Sequence, residues 1–63
     1  MRELKNYINE QIHIAKLYKG NKTAVISFQE RAYGAARFYD TTNKTTSGIK
    51  EFEKKLYQFK KLY

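Results

Sequence analysis

A chain of 63 residues can form only one small domain, because it buries only about 60% of the surface that its unfolded form exposes. The absence of cysteine excludes disulfide bridges and thiolate metal sites, and the single His13 cannot build a histidine metal site without carboxylate ligands. Apolar residues make up 41% of the chain and aromatic residues 16%, which is too much for a disordered protein.

The chain is strongly basic, with 13 lysine and arginine residues against 6 acidic residues and a net charge of +7. Six of the basic residues and two of the acidic ones lie between residues 43 and 63, so the excess is concentrated in the last third. No apolar run approaches the roughly 18 residues that span a bilayer, and the charged N-terminus does not resemble a signal peptide. We therefore expect a cytoplasmic protein without a membrane partner.

Residues 2 to 19 have the apolar periodicity of an amphipathic helix. At about 100° per residue, one arc of roughly 160° contains seven apolar residues, namely Leu4, Tyr7, Ile8, Ile12, Ile14, Ala15 and Tyr18. Gly20 and Asn21 follow, and both tolerate the left-handed conformation that ends a helix. The sequence therefore predicts a tight turn after this helix.

A second helix is predicted from residue 22 to residue 40, and we expect it to be the central element of the fold. Its apolar side passes through the small residues Ala32 and Ala36, which would let another helix approach closely.

The start of this helix has two interpretations. Asn21 or Thr23 can cap a helix that begins at residue 22. Alternatively, the β-branched residues among 23 to 28 favour a short extended segment, with a helix that starts at Ser27. We favour the continuous helix because the sequence offers no second strand for pairing.

The segment Thr41 to Gly48 is rich in threonine and predicts a loop, since such side chains bond to the local backbone in competition with helix formation. A third helix is predicted from 47 to 62, capped by Thr46 or Ser47. Its expected core-facing residues recur at alternating spacings of three and four, namely Ile49, Phe52, Leu56, Phe59 and Tyr63, with Leu62 beside them.

These elements predict an all-α protein, a small three-helix bundle in an up-down-up arrangement. The alternative is a helical hairpin whose core is completed by dimerisation. Gln11 and Gln29 both fall near the middle of apolar arcs, so we expect them to bond to each other across the core. His13 is expected to be exposed.

The lysine-rich third helix is the first candidate functional feature. Basic residues interleaved with aromatic ones can contact phosphates and stack on bases, and the candidates are Lys50, Lys54, Lys55, Lys60 and Lys61. A plain solvated lysine face is the more common structure for such a pattern. A helix-turn-helix is disfavoured, because the second helix begins with apolar rather than basic residues.

The second candidate is a set of large apolar residues outside the main arcs, Leu17, Phe38 and Tyr57, which are typical of a protein interface when they cluster. If they form one patch, a protein partner is favoured. If the lysines converge with Arg31 or Arg37 on one face, nucleic acid is favoured.

No combination of residues suggests catalysis, a cofactor or a small-molecule substrate, so we do not expect an enzyme. The sequence favours a small binding module that contacts another protein or a second copy of itself. Nucleic-acid binding by the third helix is the alternative. The sequence does not specify the biological process.

Overall fold

The computed structural model describes all 63 residues, which form three α-helices and no strand. The helices are α1 (Arg2–Lys16), α2 (Lys22–Asn43) and α3 (Ser47–Lys60). The predicted all-α class and three-helix architecture are confirmed. The bundle measures 36 × 16 × 15 Å, and α2 packs extensively against both other helices, whereas α1 and α3 contact each other less. The expected central position of α2 follows from this.

The first turn forms as the glycine predicts. Gly20 has a φ of 90°, and the four residues before Asn21 form a turn rather than the last turn of the helix, so α1 ends three residues before the expected position. The amide of Gly20 donates to the carbonyl of Leu62 at 3.0 Å. The end of the chain therefore returns to the α1/α2 turn, as an up-down-up bundle requires.

The continuous interpretation of α2 is correct, and residues 23 to 28 are helical. The side chain of Asn21 accepts a hydrogen bond from the amide of Ala24 at 3.1 Å, so Asn21 is the cap. The helix also continues past its expected end at Asp40. Asn43 reaches back to the carbonyl of Tyr39 at 2.9 Å and Lys44 takes the left-handed conformation, which stops the helix there.

The core is formed by ten buried apolar residues from all three helices, namely Leu4, Ile8, Ile12, Ala15, Val25, Ala32, Ala36, Phe52, Phe59 and Leu62. Between Val25 and the end of α2 only alanines are fully buried, so α2 presents a flat strip on which its two neighbours pack closely.

The start of α3 is attached to α2 by a carboxylate. Asp40 accepts the amide hydrogens of Gly48 at 2.6 Å and Ile49 at 2.9 Å, and Thr45 accepts that of Ser47 at 3.2 Å. Neither Thr46 nor Ser47 caps the helix with its side chain, contrary to expectation. The partner of the helix N-terminus comes from α2, eight residues upstream of Gly48, because the negative charge of Asp40 suits the free amides there.

This attachment also fixes how α3 is rotated, and it corrects the predicted core seam. Ile49 and Leu56 are only half-buried and Tyr63 is exposed, whereas Glu51 is 8% exposed. The buried stripe is turned by about 70° from the predicted one at 100° per residue. Gly48 lies so close to α2 that an added Cβ would stand 2.7 Å from the carbonyl oxygen of Ala36. The close approach at Gly48 sets the rotation, and the apolar spacing alone does not reveal it.

The predicted pairing of Gln11 with Gln29 is wrong. The side-chain oxygen of Gln29 accepts from the hydroxyl of Tyr63 at 3.1 Å. Gln11 is 4% exposed, and its side-chain oxygen has no hydrogen-bond partner. Gln29 therefore bonds to the last residue of the chain, after α3, and not to Gln11. His13 is exposed, as expected.

Candidate functional site

The five lysines proposed for nucleic acid do not share one surface. Lys50, Lys54 and Lys61 are exposed on one side of α3, and at 100° per residue they fall within an arc of about 40°. Lys60 is exposed on the other edge of the helix, and Lys55 is half-buried. Three of the five candidates therefore form a group.

The aromatic contacts show which side of each outer helix faces α2. Tyr18, just after α1, lies with its ring centroid 5.5 Å from that of Phe28 on α2. Phe52 on α3 contacts Tyr33 of α2, also at 5.5 Å between centroids. Tyr18 and Phe52 therefore mark the sides of α1 and α3 that face α2. The side of α1 across its buried stripe from Tyr18 faces α3, and the side of α3 across its buried stripe from Phe52 faces α1.

Basic residues occupy both of these edges. Helix periodicity places the exposed residues Arg2, Lys5 and Lys16 on the α3 side of α1, and it places the three grouped lysines on the α1 side of α3. We call these residues the basic face, and its members are Arg2, Lys5, Lys16, Lys50, Lys54 and Lys61. The contribution of α1 was missed by the sequence argument, because the sequence does not show which edge of α1 adjoins α3.

Few carboxylates oppose this charge. Glu3 and Glu10 lie on the opposite edge of α1, and Glu53 lies on the outward side of α3, three residues from Lys50. The carboxylate on this side is Glu51, which is buried and has an oxygen 3.7 Å from the Nζ of Lys54. The six cations of the basic face therefore outnumber the two carboxylates near them, Glu51 and Glu53.

One exposed aromatic residue borders the basic face. Tyr57 is 60% exposed, and the Nζ of Lys61 lies 5.7 Å from the centroid of its ring. The face combines cations with an accessible aromatic surface, which is the combination that binds phosphates and stacks on bases.

The expected convergence with arginine does not occur. Arg31 lies over the ring of Phe28 at 5.4 Å and Arg37 lies over that of Tyr33 at 5.8 Å, so both are held on α2 away from the basic face. The grouped lysines instead share one side of the bundle with basic residues of α1.

The three exposed apolar candidates are confirmed as exposed but do not form one patch. Leu17 is 75% exposed and Phe38 is 73% exposed. Phe38 lies 16 residues after the start of α2, which is about 24 Å along the helix from the end where Leu17 lies. Tyr57 lies on the outward side of α3. A compact interface that contains all three is therefore not present on the monomer.

No family model, curated protein or solved structure matches this chain. None of its helices combines the length and hydropathy of a membrane-spanning segment.

Proposed function

We propose that this protein binds nucleic acid through the phosphate backbone, without sequence preference, and that the basic face is the contact surface. The observation that carries the proposal is that helix periodicity places basic residues of α1 and of α3 on the same side of the bundle. Contacts of lysine with phosphate depend on charge and are indifferent to sequence.

The dimensions of the basic face suit this role. Lys5 and Lys16 are 11 residues apart, which is about 16 Å along α1. That distance corresponds to about five nucleotides of one strand in a duplex. The composition also suits backbone contact rather than base reading, because five of the six cations are lysines and two of the three arginines in the chain lie elsewhere.

The test is fluorescence anisotropy of labelled single-stranded and duplex oligonucleotides, titrated with the protein between about 50 and 200 mM salt. If all six cations contact phosphates, log K should fall against log salt with a slope of about −5 for the duplex and about −4 for the single strand. Absence of salt-dependent binding to either oligonucleotide would refute the proposal.

A pair of matched double variants distinguishes the effect of the basic face on binding from the effect of the total charge. Lys50→Glu with Lys61→Glu alters the basic face, whereas Lys44→Glu with Lys60→Glu alters exposed lysines outside it. Each double variant reverses two charges and takes the net charge from +7 to +3. Lys54 is left unchanged because its Nζ neutralises the buried Glu51.

We expect the basic-face variant to bind at least about tenfold more weakly and to lose about two units of salt slope, while the control stays close to the original protein. Equal weakening of both variants would mean that overall charge, rather than this surface, drives binding.

A further inference from the structure

The α1/α2 side of the bundle exposes more large apolar surface than a small monomer needs. Helix periodicity places Tyr7 and Ile14 on its α1 edge and Phe28, Ala35 and Phe38 on its α2 edge. Leu17 and Tyr18 follow in the turn after α1, where the ring of Tyr18 contacts that of Phe28. We call this surface the apolar face. It contains the two most exposed large apolar residues of the chain, Leu17 at 75% and Phe38 at 73%. Neither residue contributes to the core of the monomer.

The apolar face also carries little of the positive charge of the molecule. The charged helical residues along it are Glu3 and Glu10 on α1 and Arg31 on α2, and the guanidinium of Arg31 is already stacked on Phe28. These three residues carry a net charge of −1 on a protein of +7. A second strongly basic molecule can approach this surface with the least repulsion, whereas an acidic partner would be drawn to the basic face instead.

The distance between the two exposed residues sets the minimum length of a partner that covers both. Leu17 and Phe38 lie at opposite ends of the face, about 24 Å apart along the bundle. A stable interface buries about 800 Å² on each partner, which is about a fifth of the 4429 Å² surface of this protein. Burial of both residues therefore takes a partner at least about 24 Å long, and a second copy, which is 36 Å long, meets this requirement.

We propose that two copies of this chain form a symmetric dimer through their apolar faces, which leaves both basic faces exposed to solvent. This goes beyond the proposed nucleic-acid binding, because it concerns a different surface and does not require a nucleic acid. Because both copies present the same surface in a symmetric dimer, each exposed residue is buried at two places in the interface.

The test is sedimentation equilibrium of the protein alone, without nucleic acid, over a range of protein concentrations. The expected result is a reversible dimer with twice the 7.5 kDa mass of the chain. A protein that stays monomeric at every concentration would overturn the proposal and would leave the nucleic-acid proposal untouched.

Three variants with the same chemical change identify the surface. Leu17→Lys and Phe38→Lys place a charge on the apolar face, and Tyr57→Lys places one on the outward side of α3. All three residues are at least 60% exposed, so each variant should fold, which circular dichroism would check. We expect the first two to weaken dimerisation at least about tenfold and the third to leave it nearly unchanged. Equal effects of all three would overturn the choice of face.

Discussion

A substitution at Gly48 tests how α3 is attached to α2. Gly48 is the one glycine of the chain at which an added side chain would collide with neighbouring atoms. A Cβ at this position would lie 2.7 Å from the carbonyl oxygen of Ala36 and 2.7 Å from Oδ1 of Asp40. The Asp40 side chain can move only by giving up its bonds to the amides of Gly48 and Ile49. The Ala36 oxygen belongs to the backbone of α2 and cannot move without the helix.

The cost of Gly48→Ala follows from these contacts. Overpacking costs about 1–3 kcal/mol, and each lost hydrogen bond to a charged group costs about 1.5–3 kcal/mol. The higher helix propensity of alanine offsets up to about 1 kcal/mol of this loss in the free energy of unfolding. Asp40 makes two such bonds, so even the lower ends of these ranges leave a net loss of at least about 3 kcal/mol. This is a large part of the roughly 3–9 kcal/mol that a chain of this length possesses.

Gly34→Ala is the matched control, with the same chemical change in the interior of α2. Nothing lies within 4 Å of a Cβ added to Gly34. Alanine should therefore stabilise the helix by about 1 kcal/mol there.

Thermal unfolding followed by far-ultraviolet circular dichroism measures both variants. At about 4–8 °C per kcal/mol, Gly48→Ala should lower Tm by at least about 12 °C and Gly34→Ala should raise it by about 4–8 °C. An unchanged or raised Tm in Gly48→Ala would refute the close approach of α3 to α2 and with it the rotation of α3. A lowered Tm in Gly34→Ala would mean that this side of α2 is covered in solution.

Three further substitutions test the core and the first turn by the same melting assay. Gln11→Leu should raise stability by about 1–2 kcal/mol, because the buried oxygen of Gln11 has no partner, and a loss of stability would show that the amide is bonded in solution. Ala36→Trp should unfold the protein, since Ala36 is fully buried between helices, and a folded variant would contradict the central position of α2. Asn21→Ala should cost about 1 kcal/mol through loss of the α2 cap, whereas no effect would assign the cap to another group.

The nature of each helix could be predicted from the sequence because helix formation is largely local. The apolar periodicity of α1 and the Gly20-Asn21 turn depend on residues within a few positions of one another, and the structure agrees with both. The exposure of Leu17, Phe38 and Tyr57 also followed from periodicity, since each lies outside the apolar arc of its helix.

Tertiary structure alone decided the rotation of α3. Four spacings in its sequence favoured a seam through Ile49 and Leu56, but Asp40 binds the first amides of the helix and Gly48 allows close contact with α2. These contacts join residues eight or more positions apart, so no local pattern predicts them. They turn Glu51 inward and bring the remaining lysines of that edge toward α1.

The composition of the two surfaces was decided in the same way. The sequence determined that the chain is basic and that lysines recur at helical spacing on α3. Whether Lys5 and Lys16 would join those lysines depended on which edge of α1 adjoins α3, and this depends on the handedness of the bundle. The periodicity of a helical sequence determines which residues share an edge of the helix. Only packing against other helices determines what each edge faces.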